Sequence, residues 1–169
     1  VFRVHYQPDP EKTEGLRELA DAVGTRLPRS QVLRPHHFNA ILAHVRDSDD
    51  EKMVNEAVLR SQAKAVYSID NLGHFGLALR HYAHFTSPIR RYADLLVHRA
   101  LVDMRSPGSA PRDGLGGRQA FDLVDDCTHI SETEGRAAAA ERRTIDRFAA
   151  ALFAGQQGKV VKGVVAGVT

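Results

Sequence analysis

Residues 118–153 contain no proline, and apolar side chains recur through them at helical spacing. A stretch of that length commits a large share of the chain to helix, and the rest must pack around it. Within it, Ser131-Glu-Thr-Glu134 has the spacing of a capping box, so two helices meeting near Ser131 are expected rather than one. In the second of them Glu134, Ala138 and Glu141 share a face. Ile145, Phe148, Ala149 and Leu152 supply the stripe expected to be buried.

The upstream residues divide into shorter units. Residues 1–6 alternate apolar and polar side chains before Pro8 and Pro10, as a strand running into a turn does. Pro10-Glu11 opens a helix with Leu16, Leu19, Ala20 and Val23 on one face and Gly24 as its stop. A short helix is expected over 36–45. A third is expected over 49–67, capped by Ser48 or Asp49, with Met53, Ala57, Val58 and Ala65 inward. From 68 to 86 the pattern changes. Asn71, Gly73 and Gly76 punctuate a segment rich in His and aromatic residues, which reads as loop or short strands. Ser87-Pro88 then marks a helix over 88–104, with Ile89, Tyr92, Ala93, Leu96 and Ala100 facing the core. Arg90 and Arg91 lie about 100° apart on such a helix, so only one of them points with the preceding loop. Residues 106–117, rich in Gly and Pro, read as a surface connection. After Gly155 and Gly158 the chain becomes β-branched, which predicts a boundary between units 1–154 and 155–169. The expected class is α+β, mainly helical.

Composition narrows the functions available. With 169 residues, 43% of them hydrophobic, the chain can build one ordinary core. No apolar run approaches a membrane span, and a cytoplasmic protein is expected. The lone Cys127 excludes an internal disulfide and a cysteine zinc site. A net charge of +2 argues against a protein that coats polyanions indiscriminately, but not against a local phosphate track. The chain opens on Val1 and closes in a strand-like stretch, as a piece of something longer would.

One segment has the makings of a site. In Thr86-Ser87-Pro88-Ile89-Arg90-Arg91, the first turn of a helix would offer unpaired N–H groups beside the planar fork of an arginine, a combination suited to a phosphate. The residues alone leave open whether this is an anion site or a capped helix with two solvated arginines. His74, His81, His84 and His98 have no secure metal-ligand spacing, and Asp94 with His98 reads as an ordinary i,i+4 pair. Tyr82 and Phe85 could stack on nucleobases or be buried under the loop. Glu141 sits among Arg136, Arg142 and Arg143, where a solvated ion-pair network is the plain reading. The acidic runs at 47–51 and 125–126 resemble solvated helix surface rather than a two-metal cradle.

Gly73-His-Phe-Gly-Leu-Ala-Leu79, followed by His81-Tyr-Ala-His-Phe-Thr-Ser-Pro-Ile-Arg-Arg-Tyr-Ala-Asp-Leu-Leu-Val-His-Arg99, resembles the C-terminal half of the RNB catalytic domain of the RNase II/RNase R exoribonucleases. Phe2-Arg-Val-His5 and Ala140-Glu-Arg142 agree with that family. Gly163-Val-Val-Ala-Gly-Val-Thr169 resembles the first strand of the OB-fold RNA-binding domain that follows in it. The resemblance implies a parent protein that hydrolyses single-stranded RNA from its 3′ end to nucleoside 5′-monophosphates with Mg²⁺. That parent would act as a monomer with no membrane partner. It implies that Arg90 reaches the phosphate under attack, that Glu141 contacts the 3′-terminal nucleotide, and that Thr86, Ser87 and Tyr82 line the RNA. The metal-binding aspartates would lie outside this chain. An alternative is a non-catalytic RNA-binding or regulatory relative on the same scaffold. Similarity is weaker through 107–118, and Gly135 stands where relatives carry a larger or charged residue.

Overall fold

In a computed structural model, the described residues are 1–29, 32–105 and 120–161. Five helices and one small sheet make up their regular structure. The first strand, β1 (Phe2–Val4), leads into α1 (Pro10–Ala22). Asp9 caps α1 by accepting from the Glu11 N–H at 3.0 Å, and Pro10 occupies the first helical turn, where its missing N–H costs nothing. The helix stops where Gly24 takes φ +80°; Gly24 N–H then donates to Asp21 O and Thr25 N–H to Ala20 O, a Schellman termination.

Helices α2 (Pro35–His44) and α3 (Glu51–Ser61) follow, and α3 packs on both α1 and α2. Leu16 and Ala20 of α1, Phe38 and Ile41 of α2, and Val54 and Val58 of α3 form one core with Leu27 and Val45. The third helix is shorter than expected, with Val58 buried and Ala57 packed against the core as expected. Its inward residues are Val54, Val58 and Ser61, while Met53 is exposed. It ends at Ser61 because Gln62 is extended, and Val66–Ser68 form a strand, β2, instead of a last helical turn. That strand pairs antiparallel with β1, with Phe2 opposite Ser68, Arg3 opposite Tyr67 and Val4 opposite Val66.

The other edge of β1 is closed by the His-rich segment. Arg3 N–H donates to Tyr82 O, His5 N–H to Gly73 O, and Phe75 N–H to His5 O. A 3-10 turn at Phe75–Leu77 lies within this segment. The next helix, α4 (Tyr92–Arg105), begins four residues later than Ser87-Pro88 predicts, and Ile89, expected in the core, is 98% exposed. Ala93, Asp94 and Leu96 are its buried residues.

The long C-terminal stretch is one unbroken helix, α5 (Ala120–Phe153), about 50 Å long at 1.5 Å per residue. The break expected at Ser131 does not occur. Ser131 hydroxyl donates back to Cys127 O at 2.7 Å and accepts the Tyr67 N–H at 3.0 Å, so it ties α5 to β2 and caps nothing. Tyr67, Ala93 and Cys127 form a second core where β2, α4 and α5 meet. The stripe of Ile145, Phe148, Ala149 and Leu152, expected to be buried, is exposed, because no described element lies over it. Among the described residues no helix is long and apolar enough to cross a membrane. The connection at 106–117 and residues 162–169, which hold most of the expected OB-fold strand, fall outside the described residues.

Candidate phosphate-binding turn

Residues 86–91 form a hydrogen-bonded turn that precedes α4 rather than the first turn of a helix. Ser87 O accepts from both Arg90 N–H (3.2 Å) and Arg91 N–H (3.1 Å). At its centre is the carboxylate of Asp94, which is 0% exposed. Asp94 Oδ1 accepts the Ser87 N–H at 2.7 Å and Arg91 Nη2–H at 3.0 Å. Arg91 Nη2 also lies 3.4 Å from Thr86 Oγ1. The Ser87 amide is therefore spent on a protein carboxylate, and of the first-turn amides expected to face an anion, those of Arg90 and Arg91 are spent on Ser87 O. Burial pushes the Asp94 carboxyl up, but the Ser87 N–H, the Arg91 hydrogen bond and the Arg91 charge together hold it below the usual carboxylate range.

The two adjacent arginines are thus sorted by one acid. Arg91 is turned inward and its charge is matched by Asp94. Arg90, at the tip of the turn beside Ile89, is exposed and makes no ion pair or hydrogen bond through its guanidinium among the described residues. One uncompensated cation remains, on a turn held from beneath. The i,i+3 spacing of Arg91 and Asp94 could have disclosed this. The pairing expected from sequence, Asp94 with His98, does not form. His98 Nε2 donates to Phe85 O at 2.8 Å, and its ring stacks on Phe85 at 4.2 Å.

The remaining candidates are dispersed. Ser87 hydroxyl makes no hydrogen bond among the described residues, and Thr86 hydroxyl meets Arg91. Tyr82 is half-buried, edge-on to His74 and His84 at 5.1 and 5.6 Å, so the more exposed aromatic next to the turn is Phe85. Glu141 is exposed on α5 and forms no ion pair with Arg136, Arg142 or Arg143. It is joined to the Arg90 turn by no hydrogen bond or ion pair among the described residues.

His5, His74 and His84 are structural members of a network that ties the His-rich segment to β1 and β2. His5 Nε2–H donates to Ala63 O at 2.8 Å, leaving Nδ1 to accept Gly76 N–H at 2.9 Å. His5 stacks on His74, and His84 Nδ1 lies 2.9 Å from the Tyr67 hydroxyl. The Tyr67 ring in turn lies under the Arg3 guanidinium at 4.5 Å. No three His, Cys, Asp or Glu side chains among the described residues converge as a metal site would require. The residues here do not fit a magnesium cradle.

The sequence profile of the RNB domain matches residues 1–106. The chain belongs to the RNB domain family. It is 37% identical over 169 residues to ribonuclease R of Aquifex aeolicus, covering 99% of this chain and 23% of that protein. The RNB chain therefore spans less than a quarter of the length of this curated relative. Its fold is similar to the apo form of Mycoplasma genitalium RNase R, with a TM-score of 0.88 and 28% identity over 99% of this chain and 26% of that one. Similarity to the same enzyme in complex with ribose-methylated single-stranded RNA gives a TM-score of 0.84 at 28% identity, covering 99% of this chain and 26% of that one. Yeast Ssd1, described as a pseudonuclease, has a similar fold, with a TM-score of 0.60 at 22% identity over 78% of this chain and 16% of that one.

Proposed function

We propose that this RNB segment supplies the phosphate-gripping and product-end part of a 3′→5′ exoribonuclease acting on single-stranded RNA. The observation that carries the reading is the division of labour between Arg90 and Arg91. A buried carboxylate neutralises one and leaves the other exposed at the tip of a braced turn. In hydrolysis, water attacks the terminal phosphodiester and the 3′ oxygen of the preceding nucleotide leaves, releasing a nucleoside 5′-monophosphate. Negative charge grows on the non-bridging phosphate oxygens, and the Arg90 fork donates to them most strongly at that stage. Each such charge-assisted bond contributes on the order of 1.5 to 3 kcal/mol. Glu141 accepts from the ribose hydroxyls of the 3′-terminal nucleotide, while Thr86, Ser87 and Tyr82 line the RNA path. Magnesium, which the resemblance implies, would be held by residues outside this chain.

The test is Arg90→Ala in the full-length protein, assayed on 3′-labelled single-stranded RNA. RNA affinity should stay largely intact while kcat falls by about two orders of magnitude or more, as for a donor used mainly in the transition state. Turnover close to wild type removes Arg90 from the chemistry. RNA that is bound but never shortened by the unsubstituted full-length protein identifies a non-catalytic relative on this scaffold.

A further inference from the structure

Asp94 touches neither the proposed phosphate position nor solvent, yet it is the residue on which the turn depends. Its Oδ1 collects two donors from opposite ends of the turn, the Ser87 amide and the Arg91 guanidinium. Its own backbone N–H donates to Arg91 O at 3.1 Å, so main chain and side chain close the same loop from two sides. The pair is one bond short of a full fork, because Asp94 Oδ2 and Arg91 Nε are both buried without a hydrogen-bond partner. Arg91 therefore has little to hold it inward besides this one carboxylate and the long contact to Thr86.

The geometry points to Asp94 as a positioning residue for Arg90: it holds the 87–91 turn and withdraws Arg91 from the phosphate track, so that a single arginine is presented in a single orientation. The inference rests on the proposed role of Arg90. Loss of the Asp94 charge should have two separable consequences. Arg91, with its charge unmatched, turns outward and adds a second cation beside Arg90, which favours RNA binding. Meanwhile the turn loosens and Arg90 loses its aim, which lowers turnover.

The experiment uses Asp94→Asn, Arg90→Ala and the double variant in the full-length protein. Single-turnover rates on 3′-labelled single-stranded RNA are measured alongside RNA affinity without divalent cation. Asparagine keeps an acceptor for the Ser87 N–H and removes only the charge. The expected result is a rate lowered on the order of 100-fold, the scale set by misplacing a reacting group by about 1 Å. Affinity should be unchanged or tighter, and Asp94→Asn should have little further effect once Arg90 is gone. A rate near wild type for Asp94→Asn overturns the inference. An equal proportional loss with and without Arg90 also overturns it, since that marks general damage to the fold. If Asp94→Asn does not fold, Arg91→Lys serves instead, because it keeps the charge but replaces the Nη2 that reaches both Asp94 Oδ1 and Thr86 Oγ1 with a shorter, non-planar donor. A wild-type rate there overturns the inference, and a partial loss supports it. Should Arg90→Ala itself retain turnover, the proposed function fails first; should it lose turnover while Asp94→Asn does not, only the positioning role fails.

Discussion

Arg3 and Glu134, 131 residues apart in sequence, meet in a two-bond guanidinium–carboxylate pair of 2.7 and 3.0 Å. The same guanidinium lies 4.5 Å from the centre of the Tyr67 ring, so strand β1, strand β2 and helix α5 are joined at one side chain. Arg3 is largely covered and Glu134 is 45% exposed, which limits what the ion pair alone contributes.

Arg3→Ala should therefore cost more than Glu134→Ala. About 2 kcal/mol is expected for the first, which removes both the ring contact and the pair, and about 0.5 kcal/mol for the second. Hydrogen exchange of the β1 amides in the full-length protein measures both. Equal losses would mean that the Tyr67 contact contributes nothing.

Ser131→Ala should lower local stability by about 1 to 3 kcal/mol, because the Tyr67 N–H loses its acceptor where β2 meets α5. Thr128→Ala, three residues earlier, removes a hydroxyl bonded only to its own helix at Val124 O and should be nearly neutral. Exchange at the Tyr67 amide distinguishes them.

Acid should loosen the His-rich segment that closes the edge of β1. Burial first, then neighbouring His5 and Arg3, lowers the His74 pKa below 6.5; burial, then Arg91 and Arg3, does the same for His84, with Asp94 and Glu134 opposing. A histidine whose folded pKa lies below its unfolded value contributes stability that is complete above about 6.5 and is lost as pH falls through the folded value. Protection of the backbone amides of 73–82 should drop over that interval, and His84→Gln should flatten the response.

Two glycines should respond oppositely to alanine. A Cβ at Gly76 would lie 3.3 Å from the His5 ring, so Gly76→Ala crowds the buried imidazole and should lower the melting temperature. A Cβ at Gly135 meets nothing within 4 Å, and Gly135→Ala should stabilise α5 by about 0.5 to 1 kcal/mol.

Features written in adjacent residues were legible in the sequence. Pro10-Glu11 and Gly24 bound α1 because cap chemistry is local. The parting of Arg90 and Arg91 was expected from a helical step of about 100°, but both precede α4 and it is Asp94 that separates them. Features set by distant partners were not. Residues 66–68 became a strand because β1 lies beside them, although the preceding helix pattern could have run on. The Ser87-Pro88 helix start is displaced to Tyr92, and the Ser87 amide is bonded instead by Asp94, seven residues downstream. Ser131 has the composition of a cap, yet its hydroxyl serves Tyr67, 64 residues upstream. The period of Ile145, Phe148 and Leu152 correctly marks an amphipathic face, but periodicity says nothing of what covers it.

The continuity of α5 sets a phase relation. Ser131 and Glu134 are clamped to the two strands, and Glu141 follows Glu134 by seven residues, about 700° of rotation or 20° short of two full turns. Glu141 therefore leaves the helix in nearly the azimuth of Glu134, about 10 Å further along the axis. A break between Glu134 and Glu141 would leave that bearing free to drift. As built, the small sheet indexes a carboxylate it never touches, and one residue inserted between the two acids would swing Glu141 by about 100° while every strand contact stayed in register.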